Sequence, residues 1–161
     1  GMVVGPIRYS TSLDMIEGWR DASGRLGVSS DDSMISETVF TFEGGQAGSA
    51  QLLEAGATGI IAANDLMAAG VIAAARAWGG AGPDDGAVIG FDGTPPMSYT
   101  SPRLTTMRQP IDRMSAAATE LLADSIGGNG VSQTQVFAPE LVVGRSTGPV
   151  RETPGVPQLS A

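Results

Sequence analysis

At 161 residues the chain supports one domain of ordinary size or one large lobe of a bigger protein. Its formal charge of −8, with nine scattered Arg and no Lys, argues against this piece gripping nucleic acid by itself, since phosphate contacts need clustered cations. The lack of Cys and His removes thiol nucleophiles, disulfides, Cys/His zinc sites and a Ser-His-Asp triad together, and leaves the redox compartment unreadable.

The apolar fraction of 42% is enough for a core, built mainly from Ala, Val, Ile, Leu and Met because aromatics are only 5%. No apolar run approaches the ~18 residues of a membrane span. Gly1 ahead of Met2 reads as an expression-tag scar, which makes Met2 a candidate boundary and deprives the lack of a signal peptide of meaning. Residues 2–5 read as a short buried strand. Ser12 offers an N-cap for a helix to Leu26, with Leu13, Ile16, Trp19 and Leu26 on one face and Gly27 as its stop. Met34 to Phe42 reads as a strand, Gly45 to Ala55 as a helix stopped by Gly56, and Gly59 to Ala63 as a buried strand.

Asp65 then caps a helix through Trp78 whose inner face carries Leu66, Val71 and Ile72. Ala87 to Phe91 is the next buried strand, Gly93 to Pro102 a turn-rich connection, and Leu104 to Met107 a short extended piece. Pro110 sits near the start of a helix to Ile126, stopped by Gly127, Gly128 and Gly130. Gln135 to Val143 reads as a last strand, and residues 148–161 as a flexible tail. The alternation of short, continuously apolar strands with helices predicts an α/β fold, a parallel sheet flanked by helices on both faces.

Ligands in open α/β sheets sit beyond the carboxyl ends of the strands. Asn64 ends one strand, and its carboxamide both donates and accepts, which suits a hydroxyl or a base edge; the alternative is a turn residue beside an N-cap. Asp92 ends another, where a carboxylate can accept two hydroxyl hydrogen bonds; the alternative is a capped turn before Gly93-Thr94-Pro95. Asp65, Asp92 and Glu43 supply carboxylates, but nothing supplies a nucleophile or a metal cluster, so the chain is read as a non-enzyme without a cofactor. Asp84 and Asp85 read as solvated turn residues.

The order of these pieces carries a resemblance. The apolar run into Asn64-Asp65 is followed by Met67-Ala68-Ala69-Gly70, Pro83-Asp84-Asp85 and Gly90-Phe91-Asp92, then by residues 102–110, Pro-Arg-Leu-Thr-Thr-Met-Arg-Gln-Pro. Together they resemble the effector-binding domain of the lactose-repressor (LacI/GalR) family of bacterial transcription regulators. That resemblance implies a periplasmic binding protein-like fold of type I. Residues 2–147 would be its C-terminal lobe plus the helix 110–126 that returns to the other lobe. The DNA-binding headpiece and most of the N-terminal lobe would lie outside this chain. It implies a cytoplasmic repressor-like protein that senses a sugar-like molecule, pairs as a homodimer and reaches operator DNA through its headpiece. The competing reading is a periplasmic sugar-binding protein of a transporter. The crossover at 102–110 and the Pro83-Asp84-Asp85 turn favour the regulator.

By resemblance, Asn64 and Asp92 face the effector, Phe40 matches an aromatic that stacks on it, and Gln109 matches a crossover residue beside it. For Phe40 a core role is the alternative, and for Gln109 a purely hinge-positioning one. Relatives often carry an Arg three residues before the Gly-aromatic pair of the first helix; here the pair is Gly18-Trp19 and the position holds Met15. Losing that fork removes bidentate recognition of polar groups, so the effector is gripped differently or is less polar. Met67, Val71 and Ile72, with Tyr99, resemble the surface where two second lobes meet; the alternative for them is core.

Overall fold

The computed structural model describes residues 1–28, 30–77, 86–128 and 134–149. Six strands form one sheet: β1 (Met2–Val4), β2 (Ile35–Glu37), β3 (Gly59–Ala62), β4 (Ala87–Asp92), β5 (Thr105–Arg108) and β6 (Glu140–Val142). Their order is β2-β1-β3-β4-β5-β6. The first five are parallel, and β6 runs antiparallel to β5, with Thr106 opposite Val142. Among the described residues four α-helices accompany them: α1 (Ser10–Leu26), α2 (Phe42–Glu54), α3 (Asp65–Ala77) and α4 (Ile111–Ile126).

Topology follows from handedness. The chain steps from β1 one way to β2, then returns past β1 to β3, β4 and β5. Right-handed crossovers therefore put α1 on one face and α2 and α3 on the other. Met2, Val3 and Val4 in β1 are all buried, as a strand covered on both faces must be. With Leu52, Ile60, Met67, Ala68, Val71, Val88 and Leu104 they make up the core. The helices α2 and α3 touch backbone to backbone. A Cβ on Gly45 would stand 2.1 Å from the Met67 carbonyl oxygen, and one on Gly70 would stand 2.0 Å from that of Phe42.

Several boundaries differ from the sequence expectation, each for a local reason. The strand expected over Met34–Phe42 is only Ile35–Glu37, because Thr41 Oγ1 accepts the Gly44 N–H at 2.9 Å and starts α2 at Phe42. The helix α1 begins at Ser10, so Ser12 lies inside it and is buried. Only Ile16 and the half-buried Trp19 of its expected inner face reach the core; Leu13 and Leu26 are exposed. Leu66 likewise points outward, and Met67 takes the inner place. Of Gln135–Val143 only Glu140–Val142 pairs, since Pro139 has no N–H to give a ladder. Trp78, Pro83-Asp84-Asp85, Gly130 and the tail from Val150 lie outside the described residues.

No residue of α4 is buried, and Ile111, Met114, Leu122 and Ile126 are all exposed along it. After β6 the chain turns back: Ser146 Oγ donates to the Val88 carbonyl at 2.6 Å and accepts the Thr105 N–H at 2.8 Å, which sews β4 to β5.

Candidate functional site

The carboxyl ends of β4 and β5 place Asp92 and Gln109 together. Gln109 Nε2 donates to Asp92 Oδ1 at 2.7 Å, and the Gln109 N–H donates to the Asp92 carbonyl at 3.1 Å. Register explains the meeting, because Asp92 lies opposite Arg108 in the parallel ladder and Gln109 follows. Asp92 has φ 115°, a conformation that side-chain-bearing residues avoid at a cost of about 1–3 kcal/mol. Gly93 follows with φ 72°, and a Cβ there would stand 2.6 Å from Arg108 Cα. The turn is thus pressed against β5 and sets the Asp92 carboxylate beside Gln109.

Burial pushes the Asp92 carboxyl above the usual carboxylate range; the Gln109 hydrogen bond works against this, and the charge of Asp65 adds to it. The pair opens on a cleft of about 780 Å³, lined by Thr94, Met97, Arg103, Arg108, Ile111 and Val142 among others. A half-buried carboxylate held by an amide, beside cations and apolar walls, suits a polyol: acceptors for hydroxyls next to surfaces for C–H faces.

The other expected ligand residues lie outside this cleft. Asn64 Oδ1 accepts the Met67 N–H at 2.8 Å, so Asn64 rather than Asp65 caps α3, and its NH₂ is left to donate to a ligand. Phe40 stands at the β1–β2 end of the sheet, 38% exposed, its ring directly over Gly5, where a Cβ would be 2.0 Å from Cζ. Its centroid is 5.9 Å from that of Tyr9, and the Arg8 guanidinium lies 4.8 Å from the Tyr9 ring centre. Met15 packs against the core.

The surface residues divide similarly. Met67, Val71 and Ile72 are buried inside this one chain, so they build its core and have no face left for a second copy. Tyr99, 89% exposed, remains available, and Leu66 beside the start of α3 is exposed as well.

Sequence reasoning passed over Tyr9, and it read Asp65 as a helix cap rather than as the buried acceptor of the threonine hydroxyls. Asp65 is 1% exposed and accepts the Thr94 N–H at 2.6 Å, the Thr94 hydroxyl at 2.9 Å and the Thr106 hydroxyl. The available signal was a pair of hydroxyls, Thr105-Thr106, in a strand flanked by buried neighbours, where polar side chains need partners.

The sequence matches the periplasmic binding protein-like domain family over residues 1–147. It is 43% identical over 151 residues to an uncharacterized HTH-type transcriptional regulator in the aml 5′ region of Streptomyces limosus, covering 91% of this chain and 43% of that protein. Among solved structures it superposes on a CelR–cellobiose complex of a transcriptional regulator with a TM-score of 0.84 at 28% identity, covering 91% of this chain and 46% of the other. It also superposes on a lac repressor dimer bound to operator and an anti-inducer, with a TM-score of 0.82 at 25% identity, covering 91% and 51%. The chain thus spans about half the length of the proteins it matches.

Proposed function

The chain belongs to the periplasmic binding protein-like domain family in its LacI-type form, and on that premise we propose that it is the effector-sensing and dimerising half of a cytoplasmic transcriptional regulator. It is a binding domain, not an enzyme. The observation that carries this reading is the Asp92–Gln109 pair on its strained turn at the end of β4 and β5, opening on a cleft with apolar walls.

In this reading a small, sugar-like molecule lies between this lobe and an N-terminal lobe supplied by the rest of the protein. Asp92 takes its hydroxyls, Gln109 orients Asp92, and Asn64 donates from its NH₂. Phe40, with Tyr9, offers a stacking wall at the far end of the sheet, while Met15 supports the core in place of a cationic clamp. Effector binding shifts the angle between lobes and thereby the spacing of two headpieces on operator DNA. Such coupling is typically about 1–3 kcal/mol and is reciprocal: operator must change effector affinity by the same factor. The homodimer face includes Tyr99 and Leu66, both exposed.

Two experiments test this. The coding sequence upstream of Val3 should hold a basic helix-turn-helix module and a first lobe; a signal peptide with a first lobe and no headpiece would replace the regulator with a transporter's binding protein. Calorimetry of residues 1–161 with cellobiose should give no measurable heat, because one wall leaves the ligand half solvated. Tight binding to this chain alone would refute the two-lobed site.

A further inference from the structure

Asp65 is a fully buried carboxylate with no cation bonded to it among the described residues. Burying a charge is costly unless hydrogen bonds replace its water. Here three donors do so, two from Thr94 and one from Thr106. Capping α3 does not require this acid, since Asn64 already caps it. The side chain instead reaches across the sheet. It lies over Gly90 in β4, where a Cβ would be 2.6 Å from Asp65 Oδ1, so the residue beneath must be glycine.

Its partners sit beside the cleft pair. Thr94 is two residues past Asp92 in the same strained turn, and Thr106 is three residues before Gln109 on β5. One carboxylate therefore joins the first turn of α3, the Asp92 turn and the crossover strand. We propose that Asp65 is a positioning residue that holds the Asp92 turn and β5 in register and passes a change of charge at Asp92 to the start of α3.

The physical route is short. Asp65 and Asp92 repel, and the repulsion contributes to the raised Asp92 carboxyl. Arg108 from β5, Arg103 ahead of β5 and Asp112 from α4 are the other charged groups that line the cleft. Neutralising Asp92, by a proton or by a ligand's donor, relieves Asp65 and lets its grip on the two hydroxyls tighten. Asp65 is the first residue of α3, so its carboxylate lies next to the amides that open the helix.

The biological use of this link rests on the effector reading of Asp92, but its test needs no effector. Carboxyl and amide NMR titrations of the 161-residue chain would follow Asp92 together with the amides of Leu66, Met67 and Ala68. In the wild type those amides should shift with the Asp92 midpoint. In Asp65→Asn the Asp92 midpoint should fall toward the ordinary carboxylate value and the α3 amides should stop following it. Thr106→Ser should keep the coupled shift, and Thr106→Val should lose it while Asp92 still titrates. A through-space field would persist in Thr106→Val, so coupled shifts of unchanged size in that variant would overturn the proposal. So would α3 amides that ignore Asp92 in the wild type. Should Asp65→Asn fail to fold, the Thr106 pair decides. An effector response that survives loss of Asp92 in the whole regulator would sink the functional reading and leave this result standing.

Discussion

Asp92 holds two unfavourable conditions at once, a positive φ and a half-buried carboxylate, and the protein keeps both. Its raised pKa gives a signed pH dependence. Folded Asp92 binds its proton more tightly than the unfolded chain does, so its contribution to stability is fully present at low pH. That contribution is lost as pH rises from the ordinary 3.8 through the raised value. Denaturant melts across that window should show this falling arm in the wild type and not in Asp92→Asn. Asn64 separates two roles in one side chain. Asn64→Ala should cost about 1 kcal/mol through the lost cap, whereas Asn64→Asp should keep the stability and lose only the NH₂ donor. Equal destabilisation by both, read from thermal melts, would mean that the cap does not rest on Oδ1. The positions of Asp92 at a strand end and Gln109 after the crossover strand were legible in the sequence, but their hydrogen bond was not, because it depends on the β4–β5 register. The burial of Asp65 was not, because its hydroxyl partners lie 29 and 41 residues away and no local pattern announces them.

At the scale of elements, the β-α alternation was readable from short apolar runs between glycines, and the parallel sheet follows from it. Boundaries failed where one side chain overruled propensity. Thr41 turned a β-prone Phe-Thr-Phe into a helix start, and Pro139 trimmed the last strand. The antiparallel direction of β6 has no local sequence signal at all. The close α2–α3 contact is testable through glycine. Gly70→Ala or Gly45→Ala puts a methyl against a backbone carbonyl that cannot yield cheaply, and should destabilise by about 2 kcal/mol or more. Gly18→Ala in α1 meets open space and should stabilise by up to about 1 kcal/mol. Similar effects for both, measured by urea unfolding, would contradict the packing described here.

At the scale of the whole molecule, α4 presents Ile111, Met114, Leu122 and Ile126 to solvent with no residue buried. An apolar stripe of that length seeks cover. Gel filtration with light scattering should therefore find the 161-residue chain self-associated, and Leu122→Glu with Ile126→Glu should return it to a monomer. A clean wild-type monomer would remove the need for a partner on that face. The central claim is that the Asp92–Gln109 cleft is the sensing end of an operator-binding regulator. Its most direct test is an operator gel shift with the full-length protein, titrated with effector, comparing wild type and Asp92→Ala. The account predicts that the variant binds operator as the wild type does but no longer responds to effector. An unchanged response would show that effector is held elsewhere and would contradict the site described here.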